Sequence, residues 1–336
     1  MKRILYIGNK LEKHGAAPTS VDTLPDLLEK EGLNFKTVSS FRNKPLRLIH
    51  MLWSVLKNLN MKELVLIDTY STTNFWYAVL CGKVCLQLNV PYIFILHGGN
   101  LKKRFDESSN SILNVFRKAD HCVVPSSFLM DQLSEYSFKN LRFIPNSIDL
   151  SFYDFKTRKD LAPKILWVRA LDEVYNPLLA IKVLEHLLEN YPKTELCMVG
   201  PEKDGSRKKI KKIVEEKKLP VKLPGKLSKE EWIRLSREYD VFINTTTIDN
   251  TPVSVIEAMA LGLPVVSTNV GGIPYLIEDG ENGLLVGSND PESMAKAIES
   301  LIEDPELANK LSRKGREKVE SFDWERVKSL WLDLLA

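Results

Sequence analysis

Short apolar runs alternate with longer amphipathic stretches along the whole 336-residue chain. Runs rich in β-branched residues, apolar throughout rather than at every second position, predict strands covered on both faces. In the first half these are Arg3–Ile7, Leu64–Ile67, Tyr92–Leu96, His121–Val124 and Leu141–Ile144. In the second they are Lys164–Val168, Glu195–Val199, Val221–Leu223, Val241–Asn244, Pro264–Ser267 and Gly283–Val286. Segments of helical length and period lie between most of them, such as Pro177–Asn190 and Lys229–Glu238. Alternating strands and helices predict parallel, doubly wound sheets, an α/β fold. Periodicity lapses over Asn146–Lys164, where Pro163 precedes a fresh strand. Two Rossmann-like domains follow, residues 1–158 and 159–320, with 321–336 as a last helix. Open sheets of this kind bind ligands beyond the carboxyl ends of their strands, so two of them facing across a cleft would hold a ligand there.

Composition narrows the class. An apolar fraction of 44% excludes intrinsic disorder, and four cysteines (Cys81, Cys85, Cys122, Cys197) are too few for a disulfide scaffold. The opening Met1-Lys-Arg-Ile-Leu-Tyr-Ile-Gly8 has too short an apolar core for a signal peptide, and no apolar run is long enough to span a membrane. A cytoplasmic protein is expected. Net charge is only +3, but it is unevenly spread: residues 1–160 carry 22 Lys and Arg against 15 Asp and Glu, and the remainder 25 against 29. A basic first half suits an anionic surface or a polyanionic acceptor.

Several common chemistries are missing. The loop after the first strand, Gly8-Asn-Lys-Leu-Glu-Lys-His-Gly15, is not GxGxxG, which disfavours a dinucleotide-dependent dehydrogenase. Neither a P-loop nor a GxSxG nucleophile elbow occurs. No cluster has metal-ligand spacing, so no metal and no resident cofactor are expected.

The most informative stretch is Asn244-Thr-Thr-Thr-Ile-Asp249-Asn-Thr-Pro-Val-Ser-Val-Ile-Glu257-Ala-Met-Ala-Leu-Gly262-Leu-Pro264. It reads as strand, loop and helix, with Thr251 as N-cap, Pro252 at the first helical position and Gly262 at the stop. Free N–H groups at that helix start, with the positive end of its dipole, would receive an anion. Glu257 could accept two hydroxyl hydrogen bonds, as from a ribose.

In Asp249-x7-Glu257, Ala258-Met-Ala-Leu-Gly-Leu-Pro-Val-Val266 and Asn269-Val-Gly-Gly-Ile-Pro, the chain resembles the retaining glycosyltransferases of family 4, glycosyl transferases group 1 of GT-B fold. Asp290-Pro-Glu-Ser-Met-Ala-Lys-Ala-Ile298, Ile144-Pro-Asn-Ser-Ile-Asp149 and Val199-Gly-Pro201 continue the likeness, which is specific over residues 160–336 and softer over 1–150. The resemblance implies that Glu257 binds the nucleotide ribose and that Asp249, where the family more often has Glu, contacts the transferred sugar. It implies that Arg169 grips the diphosphate, which a permanently charged fork does well. Thr251, Pro252 and Val253 would bind the donor from the helix start, and Gly15 would let the backbone approach the donor phosphate. His97, before Gly98-Gly99, would lie beside the anomeric carbon. The lysine that usually follows the arginine at a distance of five is replaced by Val174.

The resemblance thus implies a retaining, metal-independent, hexosyltransferase-like enzyme. Its partners would be a nucleotide-diphosphate sugar and a glycan or lipid-linked acceptor, in cell-surface polysaccharide biosynthesis, with no nucleic acid involved. A catalytically silent module that binds nucleotide sugar or glycan, a GT-B sugar epimerase and a phosphorylase remain open alternatives. In the family the last helix crosses back onto the first domain, and the apolar spacing of Phe322, Trp324, Val327, Leu330, Trp331 and Leu334 suits such a seam. Finally, Phe41–Leu59 reads from Pro45 as a helix with a polar stripe (Arg47, His50, Ser54, Lys57, Asn58) and a broad apolar face. Arg42, Lys44 and Arg47 cluster at its start, and Lys102-Lys-Arg104 sits on what reads as a loop. Peripheral contact with an anionic membrane, on the inner face, is the expectation.

Overall fold

The computed structural model describes residues 3–14, 18–57, 64–98 and 100–336. Gly15 and Gly99 therefore lie outside the described residues. The chain divides into two units, Met1–Pro145 and Asn146–Ala336.

In the first unit the order is β1 (Arg3–Ile7), α1 (Ser20–Lys30), β2 (Asn34–Val38), α2 (Lys44–Lys57), β3 (Leu64–Thr69), α3 (Phe75–Gln87), β4 (Tyr92–Leu96), α4 (Leu101–Asp106), α5 (Asn110–Arg117), β5 (His121–Val124), α6 (Ser127–Ser134) and β6 (Leu141–Phe143). All six strands are parallel, in the order β2-β1-β3-β4-β5-β6. The central strands are buried along their whole length, as continuous apolar runs require. Phe75, Phe94, Phe105 and Phe116 form an aromatic knot under α3, the Phe94 and Phe116 ring centroids 4.3 Å apart.

The second unit runs β7 (Lys164–Val168), α7 (Pro177–Asn190), β8 (Glu195–Val199), α8 (Ser206–Lys217), β9 (Val221–Gly225), α9 (Lys229–Ser236), β10 (Val241–Asn244), α10 (Val253–Ala260), β11 (Val265–Thr268), α11 (Ile273–Leu276), β12 (Leu284–Val286), α12 (Pro291–Glu303), α13 (Pro305–Val319) and α14 (Trp324–Leu335). Its parallel order is β12-β11-β10-β7-β8-β9. Alternation along β7 sends Ile165 and Trp167 into one core and Leu166 and Val168 into the core on the opposite face. Each unit is thus a doubly wound α/β sheet, as expected of two Rossmann-like domains.

Where the strand order reverses, two neighbouring loops leave in opposite directions and open a crevice at the carboxyl edge. That point falls between β1 and β3 in the first sheet and between β7 and β10 in the second. It selects the ends of four strands as the places to look for chemistry.

Two structural findings differ from the sequence reading. Residues 146–158 pack within the second unit instead of the first. Arg158 donates to the carbonyls of Tyr239, Leu261, Gly262 and Ser236, and Lys156 N–H donates to Leu261 O. On α14, Trp324, Val327, Trp331 and Leu335 are buried whereas Leu330 is exposed, so the covered stripe is rotated from the one the spacing suggests.

Candidate active site

The second unit's crevice is built by β7 and β10. β7 delivers Arg169, whose N–H is held by Val199 O. Gly200 makes this possible: with φ +153, a Cβ there would sit 1.7 Å from Arg169 O, so only glycine admits the neighbouring chain. The Arg169 guanidinium lies 4.4 Å from the centre of the Tyr175 ring and forms an ion pair with Asp249. Burial pulls its pKa below the usual value, while Tyr175 and Glu257 pull the other way. Its Nε is buried with no hydrogen-bond partner, a donor left for a ligand.

Asp249 stands on the loop after β10. Gly271 and Gly272 press against that loop from behind; Cβ atoms there would lie 2.2 Å from Asp249 O and 2.1 Å from Asn250 O. The Gly272 N–H instead donates to Asp249 O at 2.9 Å. The Gly-Gly pair in the Asn269-Val-Gly-Gly motif thus sets the position of the acidic loop.

The helix after the loop begins one residue later than the sequence suggests. Pro252 is extended (φ −70, ψ 117) and is itself the N-cap of α10, so Thr251 does not cap it and Pro252 is not the first helical residue. Proline's fixed φ suits either position; here its carbonyl already accepts from Val255 and Ile256 N–H. No side chain caps the helix, which leaves its first N–H groups available to an anion. Thr251 and Pro252 are buried and Val253 is half-buried at this start.

Glu257 is buried in the second turn of α10, where its Oε1 accepts from the Tyr153 hydroxyl at 2.7 Å and pairs with Lys229 Nζ. Burial, then the Glu257 carboxylate, raises the Tyr153 pKa far above its ordinary value. Lys229 opens α9, set there by a capping box in which Ser228 Oγ accepts from Glu231 N–H and Ser228 N–H donates to the Glu231 carboxylate. Neither Tyr153 nor Lys229 was picked out from the sequence. The Ser228-x-x-Glu231 box was readable, but nothing local shows that the next residue reaches Glu257. Val174, in the place of the usual lysine, is exposed; its carbonyl accepts from Thr247 N–H at 2.9 Å.

The first unit's crevice holds a separate polar cluster. His97 follows β4, and its Nε2 lies 3.0 Å from Asp68 Oδ1 on β3. Asp68 also accepts from Tyr6 on β1 at 2.8 Å and from Tyr70 at 3.4 Å. Tyr70 stacks on the His97 ring, with centroids 5.1 Å apart. Burial, then the Asp68 charge, raises both tyrosine pKa values. Asp68 therefore fixes the orientation of the imidazole through Nε2. The sequence pointed to His97 but not to its buried carboxylate partner.

Arg169, Asp249 and Glu257 are thus gathered at one switch point and His97 stands at the other unit's carboxyl edge. Among the described residues no group of three or more His, Cys, Asp or Glu is placed to hold a metal ion.

Two doubly wound units with charged groups at their switch points define a GT-B protein. The Glycosyltransferase Family 4 family matches residues 3–152 and the Glycosyl transferases group 1 family residues 152–318, so the chain belongs to glycosyltransferase family 4. A glycogen synthase of Mycobacterium tuberculosis is 25% identical over 220 residues, 63% of this chain and 52% of the relative. A lipopolysaccharide core biosynthesis glycosyltransferase, LpsE of Rhizobium meliloti, is 38% identical over 98 residues, 29% of each chain. The match spans about half the length of the first of these relatives. Among solved structures, sucrose-phosphate synthase from Thermosynechococcus elongatus has TM-score 0.78 at 20% identity, over 99% of this chain and 98% of that one. Anabaena HepE in complex with UDP and glucose has TM-score 0.77 at 16% identity, over 100% and 99%.

Proposed function

We propose that this protein is a retaining glycosyltransferase that moves a sugar from a nucleotide-diphosphate sugar to a glycan or lipid-linked acceptor in cell-surface polysaccharide synthesis. The observation that carries the reading is the buried Arg169 with an unpartnered Nε, set between two carboxylates at the second sheet's switch point. In this reading the ribose hydroxyls take Glu257, and the diphosphate takes Arg169 and the uncapped start of α10. As the anomeric C–O bond breaks, negative charge gathers on the departing diphosphate, and these fixed donors stabilise it without reorganising. The acceptor oxygen forms its bond on the face the diphosphate leaves, and its proton passes to a departing phosphate oxygen. Asp249 positions the transferred sugar. Relatives named for glycogen and lipopolysaccharide synthesis, and neighbours solved with UDP, support the donor class and the glycan acceptor.

One observation favours a catalytically silent sugar-nucleotide-binding module instead: Val174 provides no cation, and Arg169 and Glu257 already have counter-charges in Asp249 and Lys229. Incubation with UDP-, GDP- and ADP-sugars and an oligosaccharide acceptor, with the product's anomeric configuration read by NMR, separates the two. Transfer with the donor's configuration, persisting in EDTA, is the expected result. Donor binding without turnover would establish the silent module, and loss on chelation with rescue by Mg²⁺ would overturn metal independence.

A further inference from the structure

Helix α2 is apolar on two sides: Met51 and Val55 enter the core, and part of the polar stripe is turned inward beside them. Its polar residues Arg47 and Ser54 are buried, and His50 is half-buried. Each nitrogen of the Arg47 guanidinium donates inside the unit, to Asn9 Oδ1 at 2.8 Å, Phe41 O at 2.7 Å and Arg42 O at 2.9 Å. His50 Nδ1 lies 2.9 Å from Ser39 Oγ. With that stripe directed at the sheet, the apolar face formed by Leu46, Ile49, Trp53 and Leu56 at spacings of three and four points outward; Ile49 is 61% and Trp53 51% exposed. Trp76 and Leu80 on the neighbouring helix α3, which packs against α2, are exposed as well. Counting Phe41, seven of the thirteen exposed large apolar side chains among the described residues fall on these two helices and their approach, so the exposure is a concentrated surface and not scatter.

Charge selects its occupant. Residues 32–62 contain no Asp or Glu, and neither do residues 69–105. Arg42, Lys44, Lys57 and Lys83 are exposed around the apolar face, and Lys57 Nζ lies 4.9 Å from the centre of the Trp53 ring. Two expected contributors drop out: Arg47 is buried, and Lys102–Arg104 lies on helix α4, with Lys102 paired to Glu135 and Arg104 donating to Ser71 O. A surface for another protein chain ordinarily mixes both signs on its rim. Here an apolar stripe carrying tryptophan lies in segments that supply exposed cations and no carboxylate, which matches acyl chains below and anionic headgroups above.

We propose that the outer face of α2, extended by Trp76 and Leu80 on α3, is an interfacial surface that docks the first unit reversibly on an anionic lipid bilayer. Trp53, Ile49 and Leu56 enter the headgroup–acyl boundary, while Arg42, Lys44 and Lys57 stay at headgroup level. Docking concerns partition to lipid and holds whichever catalytic reading is correct.

The test is flotation of the full chain with phosphatidylcholine vesicles, with or without phosphatidylglycerol, at low and moderate salt. Binding is expected with the anionic vesicles only and falls with salt as screening shortens the reach of the basic rim. The paired substitutions Ile49→Gln with Trp53→Gln, and separately Arg42→Glu with Lys57→Glu, are each expected to reduce partition about tenfold or more. All four side chains are exposed, and circular dichroism and thermal melting confirm that each variant is folded. Absence of flotation, equal flotation with neutral vesicles, or wild-type flotation of the folded Ile49/Trp53 variant would overturn the proposal. Light scattering that shows a dimer dissolved by the same pair, without vesicle binding, would assign the face to a second copy and also overturn it.

Discussion

Glu257 is held by two groups of very different standing. Tyr153 lies within the same buried pocket and donates at 2.7 Å, whereas the Lys229 ammonium is half exposed. A buried hydrogen bond to a charged group is worth about 1.5–3 kcal/mol, while an ion pair with a solvated partner contributes less than about 1 kcal/mol. Urea unfolding should therefore show Tyr153→Phe costing clearly more than Lys229→Met, and equal losses would contradict this ranking. Both residues escaped the sequence reading because they approach Glu257 from separate stretches, residue 153 before β7 and residue 229 at the head of α9. Asp68 was hidden in the same way: it sits in an apolar strand, and its partners Tyr6 and His97 come from other strands. Arg169, Asp249 and Glu257 stand out in the sequence because each lies in a short stretch that resembles the family's motifs, and the structure gathers the three at one switch point.

Elements follow the same division between local and distant causes. All eleven expected strands are present, and their limits shift by two residues at most; Leu64–Ile67 extends to Thr69 and Val221–Leu223 to Gly225. β2 was not foreseen, because Asn34-Phe-Lys-Thr-Val38 is an edge strand whose outer positions are exposed and polar. The α10 start moved by one residue because Pro252 takes an extended ψ that the sequence leaves open. The junction shifted for a clearer reason. Arg158 inserts its guanidinium among carbonyls of α9, the loop before β10 and the end of α10, with Asp240 3.6 Å away. Burial lowers its pKa to about 10, although Asp240 favours the charge. Arg158→Met removes four buried donations to those carbonyls at once, so a loss of about 2–4 kcal/mol is expected in denaturant unfolding. A loss below about 1 kcal/mol would show that the segment is not anchored there.

At the scale of the whole molecule, the four cysteines report on the two units separately. Cys81, Cys85 and Cys122 are buried in the first unit and Cys197 in the second, and burial raises every one of their pKa values, that of Cys85 to about 12. A buried thiol kept protonated does not react, so a thiol reagent should label the native protein only through opening. Mass spectrometry of partly labelled protein is expected to find all three first-unit cysteines labelled together. Fast labelling of any one under native conditions would contradict the core described for that unit.

The central claim is that Arg169 and Glu257 form the donor site of the second unit. Calorimetric titration of the full chain with UDP, GDP and ADP, for the wild type and for Arg169→Ala and Glu257→Gln, tests it most directly. At least one nucleotide should bind the wild type, and affinity should fall in each variant by about 1.5–3 kcal/mol, the worth of a charged hydrogen bond. Wild-type affinity in both folded variants, or binding of none of the three nucleotides by the wild type, would contradict the site.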